Sequence, residues 1–225
     1  QKTQLCFPHR AAIHKTAGRK AQIIMTITYE FEDSLYVNMT NRCSNACTFC
    51  VRSKHDSING KDYMWLDHEP TLDEIKADFE KRDLSAYRSV VFCGYGEPLM
   101  RFDDCMAIAK WIKEKMPEMP IRINTNGQAS LIAGRDVTPE MEGLIDCVSI
   151  SLNAANAKRY DELCHSEYGE AAFDALLDFA VHAKKYVPKV VLSVVNHDIT
   201  AEELDECRRI ASDRGVTLRI RDYIK

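Results

Sequence analysis

The sequence predicts an α/β fold, an open partial (β/α)6 barrel with its helices outside, and three observations predict it. Short β-rich runs alternate with helix-length amphipathic stretches from residue 35 onward. No hairpin signal interrupts the alternation, so consecutive strands run parallel. Most strands also carry polar residues at every second position, which leaves one face of the sheet wet or filled by a ligand instead of covered by helices.

The first strand covers residues 35–40, with Asn38 and Thr40 on its polar side, and a helix follows at 72–83. The second strand, 89–93, leads to a helix at 102–115. The third, 121–125, alternates Arg122 and Asn124 with isoleucine, and a short helical stretch lies at 139–144. The fourth, 147–152, presents Ser149 and Ser151, and helical patterns follow at 157–163 and 170–186. The fifth, 190–195, is the most apolar. Thr200 then caps a helix over 201–214, Glu203 completes a capping box three residues on, and Gly215 stops it. The sixth strand, 217–221, carries Arg219 and Arg221, which either face a substrate or pair with barrel carboxylates. Residues 51–70 read as a long polar loop, functional or mobile. There is no internal repeat, low-complexity tract or interdomain linker.

The chain has 225 residues, 45% of them hydrophobic, with 30 Lys plus Arg against 34 Asp plus Glu for a net charge of −4. That composition excludes a disordered tail and a collagen-like chain. Its apolar runs are far shorter than the ~18 residues a membrane span needs. Residues 1–24 stand apart: they hold five basic residues and no acid, and read as a disordered or non-native extension with Met25 as the natural start. A basic membrane-binding or targeting arm is the alternative reading of that segment. Residues 25–225 form a single domain whose net charge of −9 argues against a nucleic-acid partner.

Nine cysteines, an odd number without an export signal, imply a reducing, cytoplasmic setting. Cys6, Cys93, Cys105, Cys147, Cys164 and Cys207 are scattered and read as small buried hydrophobes. Cys43, Cys47 and Cys50 form a Cys-x3-Cys-x2-Cys run immediately after the first strand, a spacing of which only about 0.01 is expected by chance here. Iron–sulfur clusters are ordinarily held by four cysteines, so three leave one iron open for chemistry. The carboxyl end of a barrel strand is also where such folds place their active sites. The competing reading makes His55 the fourth ligand of a structural Cys3His zinc site.

Further motifs fall at later strand ends. Gly94-Tyr95-Gly96-Glu97-Pro98 combines glycines that let backbone approach a ligand with a carboxylate that can accept an ammonium. Thr125-Asn126-Gly127 follows the third strand. Ser151 and Asn153 fall on one face by the period of two, where both can reach a hydroxyl or satisfy neighbouring backbone. Val194 and Val195, with Asn196 beyond them, either flank a flat ligand or fill the core.

The cysteine triplet with these strand-end motifs, from about Leu35 to the C-terminus, resembles the radical S-adenosylmethionine superfamily, whose fold is a partial TIM-like barrel. The resemblance implies a [4Fe-4S] cluster on Cys43, Cys47 and Cys50, with S-adenosylmethionine chelating the open iron. Reductive cleavage of that compound would give a 5′-deoxyadenosyl radical that abstracts hydrogen from a substrate. It further implies cofactor contacts from Phe49, from Gly94, Tyr95, Gly96 and Glu97, and from Asn126, Ser151, Asn153 and Val194. Tyr95 departs from the family's Gly-Gly-Glu-Pro form, although a Gly-x-Gly-Glu-Pro variant occurs among the radical RNA methylases. Asn38 to Cys43, Cys93 to Pro98 and Trp65 to Pro70 look most like the TatD family-associated radical proteins. That likeness implies a TatD-type hydrolase as working partner, and the family implies a flavodoxin or ferredoxin as electron donor. An activase for a glycyl-radical enzyme, a radical RNA methylase and a zinc-stabilised binding module are the alternative functions.

Overall fold

The computed structural model of the chain describes residues 25–58 and 60–223, so the expected extension over residues 1–24 lies outside the described residues. In chain order the strands are β1 (Thr28–Phe31), β2 (Ser34–Val37), β3 (Ser57–Ile58), β4 (Asp62–Tyr63), β5 (Ser89–Phe92), β6 (Ile121–Thr125), β7 (Cys147–Ser151), β8 (Lys189–Asn196) and β9 (Thr217–Asp222). The α-helices are α1 (Leu72–Phe79), α2 (Phe102–Lys115), α3 (Ala129–Ala133), α4 (Ala157–Cys164), α5 (Ala171–Ala183) and α6 (Ala201–Asp213). Seven strands make one sheet in the order β1-β2-β5-β6-β7-β8-β9. From β2 to β9 every pairing is parallel, which is the six-stranded open barrel expected from the alternation of strands and helices.

Four expectations about elements are corrected. A hairpin does exist: β1 pairs antiparallel with β2 through the two-residue turn Glu32-Asp33, with Glu32 left-handed at φ 54°. Neither turn residue is Gly or Asn, so the usual hairpin signal is missing. The polar loop over 51–70 contains a small antiparallel ladder, β3 with β4. The helical stretch at 139–144 is a 3-10 turn over Thr138–Met141 with Pro139 in its first turn. The first helix stops at Phe79 rather than at residue 83. α3 was not anticipated, because five residues show no measurable helical period. The capping box at Thr200 forms with both of its hydrogen bonds, and Gly215 takes φ 61° after α6.

Register explains the two-sided sheet. Val37, Phe92, Ile123, Val148 and Val190 line up laterally across five strands and face the helices, where they join one continuous core. Such side chains stabilise the fold by about 1.5–3 kcal/mol each when fully buried. The opposite, concave face is divided. At the β1–β2–β5 end Tyr29, Tyr36, Val91, Met64 and Tyr95 close it with a small apolar cluster. Toward β9 it is polar, carrying Arg122, Asn124, Ser149, Ser151, Ser193, Arg219 and Arg221 at alternate positions. Cys105, Cys164 and Cys207 are buried as expected of small hydrophobes, whereas Cys93 and Cys147 lie on the concave face and keep some exposure.

Candidate active site at the carboxyl end of the sheet

The chain leaves β2 into a loop that carries all three clustered cysteines, and the loop is fastened on every side. Ala46 N donates to Cys164 O (2.9 Å), Thr48 N to Leu163 O (2.9 Å) and Glu97 N to Arg42 O (2.8 Å). Arg52 binds it from within: Nη1 donates to Asn41 O (3.1 Å) and Tyr95 O (3.2 Å), and Nη2 to Asn45 O (3.2 Å). One guanidinium thus ties the start and the interior of the triplet loop to the loop after β5, which suits its rigid fork of donors. Sequence reasoning missed Arg52, although its place two residues past the last cysteine was a signal.

Cys43, Cys47 and Cys50 are half-buried and in no disulfide. Burial pushes the Cys43 thiol up to about 12, with the Glu97 charge adding to the effect. Contact with the Cys164 thiol and then burial raise Cys47, and burial raises Cys50. The Arg52 guanidinium acts against the rise at all three. Thiols held this way become thiolates only when a metal takes the place of the proton.

The donor set discriminates between metals. A Cys3His zinc centre puts four ligands on one ion at about 2.0–2.3 Å. Among the described residues no three His, Cys, Asp or Glu side chains converge on a single ion, His55 included. Thiolates of an iron–sulfur cluster each bind a different iron, so three of them need not converge on a single ion.

The Gly94 to Pro98 segment plays a different part from the one expected of its glycines. A Cβ on Gly94 would lie 2.0 Å from Asn38 Oδ1, and one on Gly96 would lie 2.2 Å from Thr40 O and 2.5 Å from Arg42 O. The close approach these glycines permit is therefore to the chain's own cysteine loop. Tyr95 is 3% exposed, donates from its hydroxyl to His55 O and meets Trp65 edge-on (5.2 Å), so it pins the loop after the triplet. Glu97 is buried without a cationic partner among the described residues; it accepts from Thr125 Oγ1 (2.7 Å) and Leu99 N (3.0 Å) on one oxygen and from Asn126 N (2.6 Å) on the other. Burial pushes its carboxyl up to about 7, while those three donors pull the other way. A carboxylate has about four acceptor positions, so one remains for an incoming ammonium.

Asn126 spends its amide inside the protein. Its Nδ2 donates to Ser44 Oγ (2.8 Å) and its Oδ1 accepts from Gln128 N (3.0 Å). The chain of bonds continues from Ser44 Oγ to Gln128 Oε1 (2.8 Å), and from Gln128 Nε2 to Asn45 Oδ1 (2.8 Å) and the Tyr160 hydroxyl (3.2 Å). This buried network joins the cysteine loop to the ends of β6 and α4. Ser44, Asn45, Gln128 and Tyr160 were not singled out in the sequence, because the bonds that join them span 32 to 115 residues.

Two further placements differ from expectation. β7 ends at Ser151, and Asn153 is left-handed at φ 55° with its Oδ1 accepting from Val195 N (3.3 Å), so the period of two does not carry through to it. Val194 has no exposed surface and belongs to the helix-facing core, which removes it from the concave face. Val195, one residue on, has the opposite phase and is half-buried. Ser151 does face inward, accepting from Arg221 Nη2 (3.3 Å). Phe49 packs against the core and meets His197 edge-on (6.5 Å), and His197 stacks on Tyr223 (4.1 Å), so the triplet's aromatic lies beside the end of β8.

A family model described as the Radical SAM superfamily matches residues 37–211. The probable GTP 3',8-cyclase of Methanocaldococcus jannaschii is 24% identical over 197 residues, covering 85% of this chain and 59% of that protein. The probable dual-specificity RNA methyltransferase RlmN of Chloroherpeton thalassium is 27% identical over 202 residues, covering 84% and 51%. The chain spans about half the length of the curated relatives it matches. In three dimensions it is similar to Streptococcus suis SuiB bound to S-adenosylmethionine, with a TM-score of 0.62 at 16% identity over 87% of this chain and 41% of that one. Among the described residues no helix is long and apolar enough to cross a membrane.

Proposed function

The chain belongs to the radical SAM superfamily, enzymes that use a [4Fe-4S] cluster and S-adenosylmethionine, and from that premise we propose that Cys43, Cys47 and Cys50 hold the cluster here. The observation that carries the assignment is the disulfide-free trio on a loop fastened by Arg52 at the carboxyl end of the first barrel strand. When bound, the pair supplies one-electron cleavage of the sulfonium compound to a 5′-deoxyadenosyl radical, which takes a hydrogen atom from substrate.

The chain's own residues supply position and exclusion. Glu97 offers its remaining acceptor position to the cofactor's ammonium, and the Tyr95–Trp65 contact keeps water from that flank of the loop. Phe49 and the backbone beside it, with Val195 and Asn196 at the end of β8, form the wall proposed for the adenine. Ser151 and Asn153 are the proposed ribose contacts, each from a different backbone geometry. The protein's part is to fix one substrate atom against the cofactor carbon.

The finer reading is a protein of the TatD-associated kind working beside a TatD-type hydrolase, with a flavodoxin or ferredoxin as electron donor. It is supported by the Trp65 to Pro70 stretch, which in this chain braces the triplet: Glu69 pairs with Arg42 (2.6 Å), and Asn41 Nδ2 donates to Leu66 O (2.8 Å). Anaerobic reconstitution tests the whole reading. Iron and sulfide at cluster stoichiometry, with slow release of 5′-deoxyadenosine on reduction, are expected. Zinc without iron in anaerobically made protein overturns it, and S-adenosylhomocysteine as the product redirects it to methyl transfer.

A further inference from the structure

The concave face holds three guanidinium groups with no counter-charge. Arg122 stands on β6 opposite Val91 and Cys147, Arg219 on β9 opposite Ser193, and Arg221 opposite Val195. Arg122 Nη2 donates to the Tyr36 hydroxyl (3.0 Å) and Arg221 Nη2 to Ser151 Oγ (3.3 Å), both neutral acceptors. The Nε atoms of Arg122 and Arg221 are buried and have no hydrogen-bond partner. Among the described residues none of the three forms an ion pair with a carboxylate, in contrast to Arg42, Arg82, Arg88, Arg101 and Arg159. Arg221 is near enough to Arg219 and Arg122 to be repelled by both, and Arg122 and Arg221 both act on the Cys93 thiol at the end of β5.

Buried donors are satisfied in folded proteins almost without exception, and holding like charges such as Arg122 and Arg221 together is costly unless an opposite charge joins them, while Arg219 stands exposed beside them on the edge strand β9. The rest of this wall offers hydroxyls, which cannot neutralise it. Guanidinium forks match the paired oxygens of carboxylates and phosphates, and unused Nε atoms are the inner prongs of such forks.

We propose that Arg122, Arg219 and Arg221 form the binding site for an oxyanion group, a carboxylate or a phosphate, on the substrate of this enzyme. The proposal rests on the radical reading only in calling that anion the substrate, and it assigns the far wall of the cavity to recognition while the cysteine loop does the chemistry.

The test is arginine-selective labelling with phenylglyoxal, read by mass spectrometry on the full chain. Inorganic phosphate, succinate and neutral glycerol are compared at matched ionic strength, and exposed Arg88 serves as the internal reference. At an anion concentration about four times the dissociation constant, Arg219 and Arg221 should be modified about fivefold more slowly, with Arg88 unchanged. Protection by phosphate alone or by succinate alone identifies the source of the oxyanion. Protection by neither, or equal protection at Arg88, overturns the proposal. The same labelling is repeated on cluster-loaded protein saturated with S-adenosylmethionine. If phosphate or succinate then adds no protection, the arginines serve the cofactor's own carboxylate and the proposal falls. Iron and sulfide are measured in the same preparation, so failure of the cluster is distinguished from failure of anion binding.

Discussion

Glu97 accepts the backbone N–H of Asn126 at 2.6 Å, a bond that ties the loop after β5 to the loop after β6 directly beneath the cysteine triplet. Both residues were expected to meet a ligand, and each is first committed to the protein. The arrangement makes Glu97 a buried anion whose neighbours supply hydrogen bonds but no charge.

That environment sets a pH dependence. The Glu97 carboxyl titrates near 7 in the folded protein against an ordinary value of 4.5. Between those limits the folded state holds more protons than the unfolded one, so this group's contribution to stability falls as pH rises and levels off above about 7. The loss is on the order of 3 kcal/mol across the window. Denaturant titrations of cluster-free protein from pH 4.5 to 7.5 should therefore show a downward slope that Glu97→Gln removes. Parallel slopes in the two proteins would mean that Glu97 ionises normally.

The glycine before Glu97 is under a harder constraint. Alanine at Gly96 would meet the carbonyl oxygens of Thr40 and Arg42, backbone atoms that cannot swing aside. Gly96→Ala is expected to cost about 3 kcal/mol or more. Gly134→Ala, with open space around it and φ 66°, should cost only about 1–2 kcal/mol of left-handed strain. Chemical denaturation separates the two, and similar losses would count against close packing as the reason for Gly96.

The parallel core of the fold was legible because the strand runs are separated by helix-length segments and because Asn38, Asn124 and Ser149 repeat a polar phase. The hairpin was not, since Glu32-Asp33 turns the chain without glycine. Within residues 190–195 the apolar run hides which valines face inward. Ser193 carries the phase: it is a buried hydroxyl in register with Val191 and Val195, and it excludes Val194 from the cavity. The cysteine spacing announced the triplet, a local feature. The network through Ser44, Gln128 and Tyr160, and the approach of Gly96 to Thr40, are long-range contacts with no local pattern to betray them.

That network has a cost when cut. Gln128 bridges Ser44, Asn45, Tyr160 and Ser166 while fully buried, so Gln128→Leu strips Asn45 Oδ1 of its donor and the Ser44 hydroxyl of its acceptor, although the Tyr160 hydroxyl keeps its bond from Asn45 Nδ2. Each such group costs about 1–3 kcal/mol, and the loop should also be released from β6. Lower stability together with faster cluster loss in air-free chelator is the expected result. Unchanged cluster retention would show that the network serves only folding.

Cys47→Ala separates ligand from scaffold. Cys47 packs against the core and beside Cys164, so removing one sulfur leaves a small gap and costs about 1 kcal/mol of stability. Iron content after reconstitution, by contrast, should fall to background, and 5′-deoxyadenosine release with it. Folded protein that retains cleavage would remove Cys47 from the ligand set.

Arg52 makes the last and most specific case, because its charge and its shape can be tested apart. Its three carbonyl acceptors belong to Asn41 just before the triplet, Asn45 between its first two cysteines, and Tyr95 on the loop after β5. Lysine keeps the positive charge but cannot span three carbonyls in different directions, whereas alanine loses both. If geometry dominates, Arg52→Lys and Arg52→Ala should shorten the half-life of the reconstituted cluster to a similar degree, several-fold or more. If charge dominates, the lysine variant should track the native protein. The directions of the three hydrogen bonds favour the first outcome, since each fixes a different stretch of backbone and a point charge would fix none of them.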